Sequence, residues 1–234
     1  MKPITLHISC EHAVNTVPPT YHHLFAEHAS VLNTHRAIDI GAFDIANHLR
    51  QRFACSYTQT TVSRLLIDCS HSLTHPHCFS EFTKTLSPSE KQQLINLYYQ
   101  PFRQKTAQLI QEHIEGGAQV LHLSIRSFPM EVNGVKRNAG IGLLYDHTRH
   151  GEQEVARIWK SILLQQTPTY RVRMNYPHHG HHDGLPHALR KKYSEHDYLG
   201  LEVECNQALL DTHASRDELA HVLSSSLQEL LLVL

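Results

Sequence analysis

Ser9-Cys10-Glu11-His12 brings a thiol, a carboxylate and an imidazole together in one short run. Ile4, Leu6 and Ile8 alternate with Thr5, His7 and Ser9, the period-2 pattern of a strand, so the cluster falls where that strand ends. In open α/β sheets, ligands bind beyond the carboxyl ends of the strands. Matching groups recur further along. His122, Ser124 and Arg126 share one face of a predicted strand, and Glu202, Glu204 and Asn206 share one face of another. Same-face residues stand about 6.6 Å apart at a rise of about 3.3 Å per residue. Two carboxylates so placed repel when both are ionised, unless a cation or an arginine lies between them.

A metal reconciles these groups. Catalytic zinc takes three His, Asp or Glu ligands plus a water, and a nearby carboxylate moves the protons. On this reading His12, His122 and Asp39 are the ligands and Glu204 is the base. The competing reading makes each histidine a surface or satisfied core residue, because the chain has 22 histidines and no HExxH motif. A cysteine nucleophile needs a depressed pKa and a positioned base. The sequence shows neither for Cys10, which is expected to pack at the strand end. Arg64 and Arg137 are candidates to grip an anionic substrate, since guanidinium pairs bidentately with a carboxylate; either can equally serve a structural ion pair. The tract His178-His179-Gly180-His181-His182-Asp183 reads as a solvated loop, with metal storage as its alternative.

The elements that must position these groups alternate between strand and helix. Strands are expected over 4–9, 56–62, 64–69, 119–125, 141–146, 170–174 and 199–205. Helices are expected over 39–53, from Ser87 to Gly116, over 152–165 and 185–192, and from Ser215 to the end. Ser87-Pro88-Ser89-Glu90 carries a capping box with proline at the first helical position. Pro101 inside that helix predicts a kink. This alternation predicts a layered α/β fold with a mixed, mostly parallel sheet flanked by helices, in one domain spanning 1–234.

Bulk composition narrows the setting. Lys and Arg number 21 against 22 Asp and Glu, leaving a net charge of −1. That balance offers no electrostatic case for nucleic acid or an anionic membrane as a partner. The five cysteines are scattered without a CxxC pair, which suits a reduced, cytoplasmic chain. No secretory signal and no run of about 18 apolar residues is visible.

In combination the motifs say more than they do singly. Ser9-Cys10-Glu11-His12-Ala13 is followed by Asp39-Ile40-Gly41-Ala42 and Ser63-Arg64-Leu65-Leu66-Ile67-Asp68. Then come His75-Pro76, His122-Leu123-Ser124, Ser127-Phe128-Pro129, Gly142-Leu143-Leu144-Tyr145-Asp146, Asn175-Tyr176-Pro177, Asp183-Gly184 and Glu204-Cys205-Asn206-Gln207. In order and spacing the series resembles the N-formylglutamate amidohydrolase family from about residue 5 to 210. The resemblance implies a fold akin to the zinc carboxypeptidases and phosphorylase-hydrolase-like proteins, one divalent ion (zinc) per chain, and hydrolysis of a small N-acyl amino acid such as N-formyl-L-glutamate. It implies His12 and Asp39 as metal ligands, Glu204 as base and then acid, and Arg64 with Arg137, Asn175 and His71 near the substrate.

Three departures stand out. Arg126 occupies a position where the family pattern usually offers a histidine. Asp-x-Asn-Arg reads Asp68-Cys69-Ser70-His71 here, and Asn-x-Pro-Tyr reads Asn175-Tyr176-Pro177-His178. Either His122 replaces the missing ligand, or Arg126 fills the charge of a lost metal and assists catalysis or substrate binding. The alternative function is an altered or inactive family member that binds or regulates.

Overall fold

The computed structural model describes residues 2–234. Its centre is a six-stranded sheet in the order β2-β1-β3-β8-β6-β7. The strands are β1 (Ile4–Cys10), β2 (Cys55–Gln59), β3 (Gln119–Phe128), β6 (Ile141–Leu144), β7 (Val172–Met174) and β8 (Tyr198–Asn206), with a separate hairpin of β4 (Glu131–Val132) and β5 (Val135–Lys136). All pairings in the large sheet are parallel except β6 against β8. The expected mixed, mostly parallel sheet is therefore present.

The two faces of the sheet differ in chemistry. Leu6, Ile8, Leu121, Leu123, Ile125, Leu201 and Val203 point to one side, where they pack in one apolar cluster with α1 (Ala42–Arg52), α4 (His150–Gln166) and α6 (His213–Val233). Trp159 is fully buried there, its indole N–H donating to Ser226 Oγ at 2.9 Å. Burial of such side chains contributes about 1.5–3 kcal/mol each. The opposite face carries His7, Ser9, His122, Ser124, Arg126, Glu202 and Glu204. It is covered by α2 (Pro88–Leu94), α3 (Gln100–Glu115), α5 (Leu185–Lys192) and long loops, whose apolar residues form a second cluster around Leu66, Leu94, Ile110 and Tyr198.

Local chemistry explains where the elements differ from sequence expectation. The segment 64–69 forms no strand. Ser63 Oγ accepts from the Leu65 amide at 3.2 Å and Asp68 Oδ1 accepts from the Ser70 amide at 2.9 Å. These short-range bonds hold the backbone in turns instead of a ladder. Pro101 causes no break, because a π turn at Ile95–Tyr99 precedes it and it sits in the first turn of α3. The Ser87–Glu90 capping box forms as expected. The last helix starts one turn earlier than Ser215: Thr212 is its cap, and its hydroxyl accepts from the Ser215 amide at 3.1 Å.

The loop after β7 is pressed against β6, where a Cβ at Gly142 would lie 1.8 Å from the Tyr176 carbonyl oxygen. Gly142→Ala is therefore expected to displace this loop and destabilise the protein by about 1–3 kcal/mol, read as a lower midpoint in urea unfolding.

Candidate active site

The polar groups meet where β1, β3 and β8 end. Register sets Ser124 opposite Glu202 and Arg126 opposite Glu204. Asp39 arrives from the turn before α1. Its amide donates to the His12 carbonyl at 3.2 Å, and its own carbonyl accepts from Ala42 at 3.0 Å. Gly41 makes this turn with φ +77, and a Cβ there would also crowd Leu210, so glycine fits for two reasons.

Asp39 is the hub. Its Oδ2 accepts from Arg126 Nε at 3.0 Å and lies 3.3 Å from His12 Nδ1, while Oδ1 accepts from Arg64 Nη1 at 3.4 Å. Asp68 completes a ring: Oδ1 lies 2.9 Å from His12 Nε2, and Oδ2 lies 3.1 Å from Arg64 Nη2. Burial opposes the charge of Asp39, but His12, Arg126 and Arg64 hold its carboxyl well below the usual range. Asp68 is likewise held down, by His12 and Arg64, against its own burial.

Arg126 also faces Glu202 at 3.6 Å and Glu11 at 4.0 Å. It thus bridges Glu202 of β8 to Asp39 and Glu11, a cation beside the paired carboxylates of that strand. Glu204 differs from its neighbours. Its Oε2 is buried without a hydrogen-bond partner. Burial pushes its carboxyl up to about 8 in spite of Arg126, with Asp39 and Glu202 adding to the rise.

Glu204, Arg126, Arg64 and His71 line one cavity of about 470 Å³, together with Glu202, Asp183 and several loop histidines. Burial holds the His71 imidazole down at about 4, so it is neutral near pH 7. Its ring stacks on His75 at 3.7 Å.

His122 is not brought to His12 and Asp39. Tyr198 Oη lies 2.6 Å from its Nδ1, and its Nε2 lies 2.7 Å from Ser9 Oγ, whose proton goes to Glu11. A serine already donating to a carboxylate can only accept from the ring, so Nε2 carries the proton and Nδ1 takes the tyrosine hydrogen. Both nitrogens are committed inside the core. Burial and the nearby His7 push this imidazole well below its ordinary pKa. Its expected ligand role is corrected on that ground.

Asn175 does not line the cavity. Its side-chain oxygen accepts from the Tyr145 and Gly180 amides, both at 3.0 Å, and so braces the loop after β7. Arg137 also lies outside the lining, with its guanidinium over the Phe128 ring at 5.8 Å. Cys10 is fully buried in the apolar cluster, and burial pushes its thiol well up. Two residues that sequence reasoning left without a role are central here. Asp68 closes the charge ring, and Glu11 anchors the hydroxyls of Ser9 and Ser124. Their signal was adjacency: Glu11 precedes His12, and Asp68 lies one helical turn's spacing beyond Arg64.

The His12–Asp39 pair offers two of the donors a metal site needs. His12 Nδ1 is buried without a hydrogen-bond partner, as a ligand nitrogen would be. The third position, however, is held by Arg126, a cation that does not deprotonate and that lies 3.0 Å from the carboxylate an ion would need. Asp68 meets the other nitrogen of His12, and no third His, Cys, Asp or Glu among the described residues brings a donor atom within 4.8 Å of donors of both members of the pair. The residues present therefore do not fit a three-ligand ion at this position. The only such group found among the described residues is His71, His75 and Asp183, whose donor atoms lie within 4.8 Å of one another. Of the histidine tract, only Asp183 takes part.

The sequence matches the family model for N-formylglutamate amidohydrolase over residues 4–210. The chain belongs to this family, and so to the hydrolases that act on amide bonds. A gene product from Agrobacterium tumefaciens has a similar structure, with a TM-score of 0.80 at 26% identity over 98% of this chain and 90% of that one. The N-formylglutamate amidohydrolase from Ralstonia eutropha JMP134 shares the fold, with a TM-score of 0.69 at 15% identity over 98% of this chain and 93% of that one. No curated protein shows significant similarity to the chain. Among the described residues, no helix is long and apolar enough to cross a membrane.

Two outcomes follow from this electrostatic layout. Asp39→Ala leaves Arg126 and His12 without their shared partner and is expected to cost about 3–5 kcal/mol in denaturant unfolding. Glu204 favours its neutral form in the fold, with its carboxyl raised from 4.5 to about 8. Its stabilising contribution is therefore complete below about pH 4.5 and lost as pH rises through about 8. Glu204→Gln should flatten that part of the Tm profile, measured by circular dichroism between those limits.

Proposed function

We propose that the protein hydrolyses the amide of a small N-acyl amino acid, with N-formyl compounds such as N-formyl-L-glutamate as the first candidates. The observation that carries this reading is Glu204: a carboxyl with one unpartnered oxygen, raised to about 8, lining the cavity of a chain from an amidohydrolase family. A general acid–base works best with a pKa near the operating pH. In amide hydrolysis one such group can act first as base and then as acid.

In the first step the ionised Glu204 takes a proton from a water as its oxygen attacks the acyl carbon. The developing oxyanion is stabilised by the Arg126 guanidinium, which stays charged because its carboxylate neighbours outweigh the cost of burial. Such a donor contributes about 3–4 kcal/mol in known sites. Glu204 then returns the proton to the amide nitrogen, the C–N bond breaks, and a carboxylic acid and a free amine leave. Arg64, partly exposed on the cavity wall, is the candidate for the substrate carboxylate. The cytoplasmic setting is supported by five free cysteines.

The expected result with a panel of N-formyl and N-acetyl amino acids is amine release, followed by a ninhydrin-type assay. Its kcat/KM should climb about tenfold per pH unit below about 8 and level off above, since only the ionised fraction of Glu204 acts as base. Glu204→Gln should lower kcat by about 10²–10⁴-fold. Binding of the same compounds without turnover in the wild-type protein would instead make the cavity a ligand-recognition site, a reading favoured by the engagement of Arg126 with Asp39.

A further inference from the structure

We infer that His71, His75 and Asp183 form a divalent transition-metal site on the cavity wall, separate from the His12–Asp39 pair. The donor atoms of the three lie within 4.8 Å of one another. Two imidazoles and one carboxylate are the donor set of borderline ions such as Zn²⁺, whereas Mg²⁺ and Ca²⁺ favour all-oxygen shells. Three protein ligands also leave a fourth position open to the cavity.

The surroundings fit ligands better than they fit three solvated side chains. His71 Nδ1 is buried without a hydrogen-bond partner and lies 3.4 Å from Asp183 Oδ2. On its other side, Nε2 faces Asp68 Oδ2 at 4.0 Å. A carboxylate behind a ligating histidine is the usual arrangement for orienting the ring and fixing its proton. Asp183 is itself held, its Oδ2 accepting from the Ser72 amide at 2.9 Å. The His71 and His75 rings are stacked, with centroids 3.7 Å apart and planes 10° from parallel, so a modest tilt of the His75 ring suffices to aim both imidazoles at one ion. His75 Nδ1 accepts a long 3.2 Å bond from the His77 amide. Ligation through Nδ1 replaces that bond, and ligation through Nε2 moves the ring proton to Nδ1. Either way only one weak contact is lost.

One of the three residues coincides with a departure of this chain. His71 stands where the family pattern has arginine, and its own cavity also contains Arg126, which stands where that pattern has histidine. The imidazole missing from the His12–Asp39 pair is thus matched by a new imidazole on the facing loop.

The test is zinc binding to protein stripped with a chelator and dialysed, followed by calorimetry and metal analysis, and repeated with Mg²⁺. One Zn²⁺ per chain with a Kd below about 1 μM is expected, with no Mg²⁺ binding in that range. His71→Ala and Asp183→Asn should each weaken binding by at least about 100-fold, since even the groups behind a ligand cost 10–100-fold. His12→Ala, and a His179→Ala/His182→Ala double variant in the neighbouring tract, should leave it within a few-fold. Cobalt substitution supplies a readout free of turnover: a visible d–d band in wild type that is absent from Asp183→Asn, with circular dichroism confirming that the variant folds. Zinc binding lost with His12→Ala and kept with His71→Ala would overturn the assignment, as would no binding below about 100 μM. None of these readouts needs hydrolysis, so the site stands or falls apart from the proposed activity.

Discussion

The ring Asp39–His12–Asp68–Arg64 ties together three stretches of chain that are far apart in sequence and belong to no strand, His12 lying just beyond the end of β1. The loop from Thr60 to Ser87 has no helix or strand of its own, yet Arg64 and Asp68 lie at fixed positions within it because each meets two side chains of the ring. The buried carboxylates of Asp39 and Asp68 are tolerable only with such partners, since either alone faces a desolvation cost of several kcal/mol. Arg126 joins the set from β3 and carries it across to the carboxylates of β8. The cavity wall is therefore held by charge pairing, whereas the sheet behind it is held by apolar packing.

Much of this frame is readable in the sequence. Alternation along β1, β3 and β8 separates the apolar face from the polar one, and the paired carboxylates of β8 demand a cation that Arg126 supplies. Helices α1, α4, α5 and α6 follow from apolar spacing and capping residues. The departure at Arg126 is visible there as well, and in the structure its guanidinium lies beside Asp39.

What was not readable follows from a limit of periodicity. Alternation tells which face a residue occupies, and nothing of how far along the strand the site lies. His122 is on the correct face of β3, but two same-face positions before Arg126, about 13 Å deeper at strand rise. There it meets Tyr198 and Ser9 instead of Asp39. Asn175 and Arg137 mislead for a related reason: motif position brings them near the cavity, while their side chains serve the backbone of a loop and the face of Phe128. The turn at 64–69 shows a further limit, because its apolar run reads as a strand until the short bonds from Ser63 and Asp68 are counted.

The chain of contacts from Tyr198 through His122 and Ser9 to Glu11 has a direction. The tyrosine hydroxyl donates to Nδ1, the ring donates from Nε2, and the serine hydroxyl donates to the carboxylate, so every hydrogen points the same way. Aligned donors polarise one another, and their dipoles add as peptide dipoles add along a helix. The positive end of the row thus falls on the Glu11 carboxylate, where hydroxyl dipoles stand in for water around a buried acid. Because the row is sealed in the core, that substitute for solvent is in place before anything enters the cavity.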